Sequence, residues 1–429
     1  MTKLALVINR SKDHMNIDLM RKVDYFAGVP LCALATPLVK LAGLWASPKM
    51  QTTRKVLFVE LSEMGSAILV DPAMRKMQNA ANAELFFVIF KSNAASLRLL
   101  NTVPVNNVFT IRENNLVNLA IDSLRFLVWT RKNHIDTVID LELFSRYSAL
   151  LTGVCGAAKR VGFHAFYNEG LYRGAMLTHR VAYNPTLHIA KNFIALVNAA
   201  LSMQQERPYS KTLIDDSEIK LARAPVVEST QAAMCALIRE EYPSYDKKRH
   251  RIVLINPNAS DLLPQRRWMP ENFVTVMRDL LIKSDDLLML ITGAPAERTQ
   301  AQGLKEQVNH ARCVNFAGKQ KLEELPALYQ MAELMLTNDS GPGHFSSVTD
   351  LRTFVLFGPE TPLLYGSLGN STPIYAGLAC SPCVSAANHR KTPCSDNVCL
   401  QVIKPENVLA QLREALAKNQ VTKKQAATK

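Results

Sequence analysis

The stretch Thr337-Asn338-Asp339-Ser340-Gly341-Pro342-Gly343-His344-Phe345-Ser346-Ser347 decides how this chain is read. An apolar run, Ala332-Glu333-Leu334-Met335-Leu336, precedes it, and a second, Thr353-Phe354-Val355-Leu356-Phe357, follows. That order is strand, glycine-rich turn, short helix, strand, one unit of a parallel α/β sheet. Such a turn leaves backbone N–H groups free at a helix N-terminus, where the helix dipole adds positive potential, so it suits a phosphate. Asp339 can accept sugar hydroxyls, Ser340 can donate to a phosphate oxygen, and His344 sits one turn into the helix. The same residues also read as an Asp/Ser cap followed by a Gly-Pro-Gly turn. The rest of the chain has to choose between the two.

Working outward, the same alternation repeats on both sides. Upstream lie strands at Arg251–Asn256, Leu287–Thr292 and Arg312–Phe316, helices at Pro270–Lys283 and Leu322–Met331, and a turn at Gly293-Ala294-Pro295. Further upstream is a comparable set: strands at Val56–Leu61, Leu85–Phe90, Val108–Ile111, Thr137–Leu141 and Arg160–Phe163. Helical patterns at Asp71–Asn79, Asn118–Asn133 and Leu187–Leu201 separate or close them. Strand and helix alternating at short spacing imply a parallel sheet covered on both faces. The fold class is therefore α/β, with two Rossmann-like domains facing across a cleft. Their expected limits are 51–205 and 250–403, with a connector at 206–249 that includes a helix near Glu228–Glu241. Segments 1–50 and 404–429 flank them. Ligands of such sheets bind beyond the carboxyl ends of the strands. Neither G-x-G-x-x-G after a first strand nor G-x-x-x-x-G-K-[ST] occurs, which disfavours dinucleotide redox enzymes and P-loop NTPases.

Composition is that of a globular protein, 48% hydrophobic and 20% charged over 429 residues. The net charge of +13 is concentrated at the ends: residues 1–55 hold nine Lys/Arg against three Asp, and residues 404–429 hold six Lys/Arg against two Glu. Such ends are either solvated tails or attraction to an anionic surface. The basic residues lack interleaved aromatics and no nucleic-acid module is visible, so no nucleic-acid partner is expected. Tyr25 to Val39 is an uncharged run of fifteen residues containing Pro30 and Pro37, flanked by Arg21, Lys22 and Lys40. It is short for a bilayer span and reads as a proline-broken helical hairpin lying in one leaflet, or else as a core-packed helix pair. Met1–Ile8 is too short for a secretory signal core, so a cytosolic, reduced protein is expected, peripheral on the inner face of the cytoplasmic membrane.

With the second domain laid out, it resembles the nucleotide-sugar domain of the glycosyltransferase family 9 heptosyltransferases of lipopolysaccharide core assembly. The family's D-[ST]-G-x-x-H is matched by Asp339-Ser340-Gly341-Pro342-Gly343-His344. Its P-G-A-S … K-x-W-P element is matched by Pro257-Asn258-Ala259-Ser260 and Arg266-Arg267-Trp268-Met269-Pro270, and its glycine turn by Thr292-Gly293-Ala294. The resemblance implies a GT-B fold and inverting transfer that needs no metal cofactor, from a nucleoside-diphosphate sugar to a lipid-linked or lipopolysaccharide-type acceptor. It places Asn258, Arg266, Gly293, Asp339, Ser340, Gly341 and His344 at the donor. Ser340 and the Gly341 backbone would hold the diphosphate, Arg266 would neutralise it, Asp339 would bind the transferred sugar and His344 would support the loop. Charge builds on a departing diphosphate, so fixed N–H groups and a cation fit the chemistry. The resemblance also implies a C-terminal helix that crosses back to the first domain.

The first domain departs from the family, whose members place a catalytic Asp after the glycine of M-G-D. Here the residues are Met64-Gly65-Ser66. A serine is a poor general base unless activated. Glu63 and Glu142, both in loops expected to face the cleft, are the candidate bases, with Ser66 at the family's position. Glu60 is set aside as an alternating strand residue and Asp71 as a helix residue. A catalytically silent relative that binds a nucleotide sugar or glycolipid is the alternative. Finally, Cys380, Cys383, Cys394 and Cys399 form C-x2-C-x10-C-x4-C, compatible with a structural zinc site in which His389 could substitute for one ligand. Reduced packed thiols or disulfides are the other readings.

Overall fold

The computed structural model describes residues 17–45, 53–167, 170–203, 207–261, 263–385 and 390–427. The first sheet has six parallel strands, β1 (Lys55–Val59), β2 (Glu84–Phe90), β3 (Val108–Ile111), β4 (Thr137–Asp140), β5 (Lys159–Phe163) and β6 (His179–Val181). Their order is β3-β2-β1-β4-β5-β6. The second sheet comprises β7 (Arg251–Asn256), β8 (Leu287–Ile291), β9 (Cys313–Asn315), β10 (Ala332–Asn338), β11 (Arg352–Phe357) and β12 (Ser371–Tyr375), ordered β12-β11-β10-β7-β8-β9. Every named pairing within both sheets is parallel. Strand order reverses between β1 and β4 in one sheet and between β7 and β10 in the other. Those two switch points are where an open sheet of this kind binds ligands.

The helices in chain order are α1 (Ile17–Phe26), α2 (Gly28–Trp45), α3 (Met64–Leu69), α4 (Asp71–Ala81), α5 (Leu116–Lys132), α6 (Arg146–Val154), α7 (Ile189–Leu201) and α8 (Glu228–Glu241). The second domain adds α9 (Pro270–Lys283), α10 (Arg298–Val308), α11 (Leu325–Met331), α12 (Gly341–Ser346), α13 (Pro362–Tyr365), α14 (Val398–Gln401) and α15 (Pro405–Ala427). Alternate strand residues fill separate cores on the two faces of each sheet. Val56 and Phe58 meet α4 and α7, whereas Leu57 and Val59 meet α1, α5 and α6. Val253 and Ile255 meet α9, α10 and α15, whereas Ile252 and Leu254 meet α8 and α11. Two cores cross the domain boundary. Leu364 and Tyr365 of α13 sit in the first domain's core, and Ile68 and Leu99 join the second's.

Two expectations about the ends are corrected. α1 and α2 are joined at Ala27 by bonds that continue the helical path, Ala27 N–H to Val23 O at 2.9 Å and Leu31 N–H to Ala27 O at 3.1 Å. The segment is thus a nearly continuous helix and no hairpin. Pro30 lies in the first turn of α2, where no intrahelical donor is needed, and Pro37 is carried inside it. The 25 residues Leu19–Gly43 are long and apolar enough to cross a membrane by length and composition. At the other end, α15 does not cross to the first domain. Leu409, Leu412 and Leu416 bury into the second domain's core, and Asn419 hydrogen-bonds Glu333 at 3.2 Å. Residues 1–16, 46–52 and 428–429, which carry part of the expected basic ends, lie outside the described residues.

Candidate active site

The residues singled out in the sequence converge on the two switch points. β10 ends at Asn338, whose side chain locks the surrounding turns: its amide donates to Pro257 O at 2.7 Å and its oxygen accepts from Trp268 N–H at 3.0 Å. Trp268 is fully buried and its indole donates to Ile403 O at 2.9 Å, so the turn before α9 cannot drift. This frame holds Arg266 over Asp339, 3.7 Å from its carboxylate, and 3.6 Å from the carboxylate of Glu360. Arg267, its neighbour, is spent on the loop itself, donating to Ala259 O and Asp261. Asn258 donates to Glu297 at 2.9 Å, Glu297 also accepts from Ala294 N–H at 2.7 Å, and Gly293 fits between them with no room for a side chain.

Around the opening motif the hydrogen bonding is incomplete. Arg266 Nε, Asp339 Oδ2, His344 Nδ1 and Glu360 Oε2 are all buried without a hydrogen-bond partner. Asp339 Oδ2 and Glu360 Oε2 are the oxygens that face Arg266 in its ion pairs, whereas Arg266 Nε and His344 Nδ1 are met by neither hydrogen bond nor ion pair, unusual for buried polar atoms. Burial pushes both the Asp339 and Glu360 carboxyls upward and Arg266 pulls both the other way; the charge of Asp339 adds to the rise at Glu360, whereas hydrogen bonding with Glu360 lowers Asp339. Burial, with His188 and Arg266 adding to it, lowers the His344 imidazole to about 3, so it is neutral. Ser340 caps α12 in an extended conformation, and its hydroxyl donates only to Asn338 O at 3.2 Å.

Across the cleft, β1 delivers Glu60 to Glu63 and the start of α3. Ser66 donates to Glu63 at 3.0 Å across the first turn of α3, so the two form a pair where the family has one carboxylate. Gly65 abuts His344: a Cβ there would lie 2.6 Å from the imidazole Cδ2. Glu142, expected as a free base, is instead buried as a structural acceptor. Its Oε1 takes Leu61 N–H at 3.0 Å, Ser62 N–H at 3.2 Å and the Ser62 hydroxyl at 3.0 Å, which fixes the loop carrying Glu63. Asp140 beneath it pairs with Arg173, and burial raises its carboxyl to about 6.

Three further residues complete the site. Glu60, set aside in the sequence as a strand residue, lies one position past the end of β1. It is buried beside Glu142, and burial followed by that neighbour's charge holds its carboxyl well above the usual range. Glu360 follows β11. Arg390 joins the halves: it pairs with Glu63 and, at 3.0 Å, with Glu360, and its guanidinium lies over the rings of Tyr365 and Phe144. No motif marks Arg390, because only the tertiary path of the cysteine-bearing loop brings it to the cleft.

The chain matches the family model described as glycosyltransferase family 9 (heptosyltransferase) over residues 126–392. The chain belongs to glycosyltransferase family 9. Among curated proteins it is 29% identical over 170 residues to lipooligosaccharide heptosyltransferase 2 of Campylobacter jejuni, covering 39% of this chain and 51% of that one. To the lipopolysaccharide core heptosyltransferase OpsX of Haemophilus influenzae it is 21% identical over 252 residues, covering 57% and 64%. These matches therefore span about half to two thirds of each relative's length. The fold is that of the solved ADP-heptose lps heptosyltransferase II of E. coli, with a TM-score of 0.64 at 18% identity over 85% of this chain and 99% of that one. E. coli heptosyltransferase WaaC, solved with ADP, gives 0.57 at 16% identity over 84% and 99%. Family 9 membership agrees with the two-sheet GT-B architecture read from the sequence.

Of the three readings of the cysteine cluster, a zinc site is the one for which the described residues show no ready-made ligand set. Among the described residues no three His, Cys, Asp or Glu side chains are placed to hold a metal. Cys399 is buried on α14, whereas Cys380 is exposed, and Cys394 is engaged by Asn397 N–H at 3.3 Å. None of the eight cysteines is disulfide-bonded, and burial raises Cys399 to about 11, with the other three of the cluster adding to it. His389 lies outside the described residues.

Proposed function

We propose that this chain is an inverting glycosyltransferase that moves a heptose-like sugar from a nucleoside-diphosphate donor to a lipid-linked, lipopolysaccharide-type acceptor. The observation that carries the reading is the buried cluster of Arg266, Asp339, His344 and Glu360, in which Arg266 Nε and His344 Nδ1 lack a hydrogen-bond partner, set against Gly65 and the Glu63–Ser66 pair. Because WaaC is described with ADP, an ADP-linked sugar is the first donor to test.

The acceptor hydroxyl oxygen bonds to the anomeric carbon while the bond from that carbon to the diphosphate oxygen breaks. Its electrons leave on the diphosphate, where Arg266 and the α12 backbone offset the growing charge. The acceptor's proton passes to Glu63, directly or by way of the Ser66 hydroxyl, which already donates to it. Glu60 and Glu142 set the position of that loop. The sugar hydroxyls fall to Asp339 and Glu360. No step calls for a metal, since Arg266 supplies the countercharge.

The reaction takes place at the inner face of the cytoplasmic membrane, to which the apolar α1–α2 helix and the basic residues around it attract the protein. Incubating the full chain with ADP-heptose and a lipopolysaccharide core acceptor, then weighing the product, tests the reading. A heptose mass increment that disappears in Arg266→Ala supports it. Full activity in Arg266→Ala sinks the assigned donor site.

A silent, donor-binding relative is the second reading, favoured by Ser66 and by the pairing of Glu63 with Arg390. Donor binding by calorimetry without any turnover would establish it.

A further inference from the structure

The outer surface of the first domain carries a second apolar stripe that the reading above does not use. On α5, Val117, Ile121, Leu124 and Val128 recur at spacings of four, three and four residues and are exposed. Val117, Leu124 and Val128 are each about two-thirds exposed, at 67%, 66% and 68%. The opposite face of α5 is anchored by Phe126, with Leu119 and Trp129, in the same core that receives Met20 of α1 and Leu151 of α6. α2 packs on α6 through Cys32, Ala35 and Val39. Its outward face is then Leu31, Leu34, Leu38 and Leu41, again at helical spacing and at least half exposed. α5 and α6 thus cover one face of the first sheet, α2 lies against α6, and α5 and α2 both turn leucine and valine rows to solvent.

The charges on these helices all point to one partner. Within Leu116–Lys132 the single acid, Asp122, is buried and held by Arg112 at 2.8 Å, whereas Arg125, Arg131 and Lys132 are exposed. Gly28–Trp45 contains no acid, and its Lys40 is exposed. On these two helices the exposed charges are all cationic, and an apolar surface flanked by them fits an anionic, apolar partner. A second copy would set like charges against each other across a two-fold axis.

We propose that α5 and α2 together form one lipid-facing surface, seated on a bilayer leaflet that carries anionic headgroups. The proposal rests on the membrane-surface reading above and adds α5 as its second contact. Two separate footholds would fix the tilt of the first domain against the membrane plane, where one helix alone would leave it free to roll about that helix's axis. α2 remains docked on α6 rather than crossing the bilayer, since crossing would strip Cys32, which is fully buried, from its packing.

Flotation of the full chain with phosphatidylglycerol-containing vesicles tests this, with pure phosphatidylcholine vesicles as the comparison. Val117→Ser/Leu124→Ser/Val128→Ser should weaken flotation by about tenfold or more, as should Leu34→Ser/Leu38→Ser. The single change Leu124→Ser should show a smaller loss with the melting temperature unchanged. Binding by the α5 variants equal to that of the unaltered chain overturns the proposal. So does light scattering that shows a dimer which the α5 changes dissolve while vesicle binding persists, because the stripe then belongs to a second copy. Alkaline carbonate failing to extract the protein overturns the docked placement of α2. Transfer to a lipid-free acceptor is measured in parallel. Vesicle binding that follows this pattern without any transfer leaves the surface standing and removes only the proposed reaction.

Discussion

Ser66 and Glu63 show how a local change in the sequence is answered three residues away. A carboxylate after Gly65 would reach the cleft directly. Here Glu63 Oε2 accepts the Ser66 hydroxyl, so the negative charge comes from the preceding turn. Glu63→Gln should therefore cut transfer by about 10²–10⁴-fold at an unchanged melting temperature. Glu142→Ala should behave in the opposite way. It strands two backbone N–H groups and the Ser62 hydroxyl, at a cost of about 1–3 kcal/mol for each buried donor, and shows as a lower melting temperature. Equal effects of the two on both readouts would refute this division of roles.

Gly65 is a case where magnitudes decide the sign. Alanine in a helix is ordinarily favoured over glycine by about 0.5–1 kcal/mol. Against that stands a would-be Cβ only 2.6 Å from the buried ring of His344, so something must shift to admit it. Gly65→Ala should push the two motifs apart and lower kcat/KM by about 10²-fold. A variant as active as the parent would show that the halves do not meet here during turnover. Asp140 gives a pH signature. Its carboxyl is raised from the ordinary 3.8 to about 6, so the folded protein holds a proton that the unfolded chain has already lost. That contribution to stability is complete below about pH 4 and is lost as pH rises through 6. Asp140→Asn abolishes it, so stability relative to the parent should improve by up to about 3 kcal/mol between pH 4 and pH 7, at 1.36 kcal/mol per unit. Parallel denaturation curves at the two pH values check this, and a constant offset would contradict it.

Elements were legible where periodicity and punctuation agreed. β7 and α9 have the limits that the sequence indicates, because an unbroken apolar run and a Pro at the first helical position define them. β6 and β12 were not foreseen. β6 is three residues long, and β12, Ser371–Tyr375, is a polar edge strand with Pro373 at its centre, so neither shows an apolar signature. The N-terminal helix was legible as apolar but not as continuous, since its prolines look like breaks until the first turn of α2 is placed. Its attachment rests on Asp24, which accepts Arg146 N–H at 2.8 Å and Tyr147 N–H at 3.0 Å at the start of α6, and pairs with the Arg146 guanidinium at 3.0 Å. Asp24→Ala should cost about 1–2 kcal/mol through the lost cap and ion pair, and should speed proteolytic cleavage near residue 27. Unaltered cleavage kinetics would show that packing alone holds the helix.

At the scale of the whole molecule, three short motifs marked the turns beyond β7, β8 and β10, whereas the residues that join them from elsewhere in the chain were not readable. Those turns are runs of consecutive residues, whereas Glu60, Glu360 and Arg390 come together only through tertiary structure. The halves also share cores, through Ile68 and Leu99 on one side and Leu364 and Tyr365 on the other. Heating should therefore give one calorimetric transition, and Ile68→Ser/Leu99→Ser should split it in two. Two transitions in the unaltered protein would mean that the shared cores do not couple the domains.

The loop that carries Arg173 has a practical consequence for handling this protein. Gly174 adopts φ +75° against the carbonyl of Cys32, and Ala175 N–H donates to the Thr36 hydroxyl at 3.0 Å, so α2 forms the wall behind it. From the other side Arg173 grips Asp140 and the Glu142 carbonyl. Trimming the greasy N-terminal helix to obtain a well-behaved soluble version would remove the backstop of that loop and slacken the carboxylates under the acceptor side. A shortened enzyme that purifies easily and turns over poorly would then be reporting its missing wall rather than its chemistry. Detergents that compete for α2 would mimic the same defect.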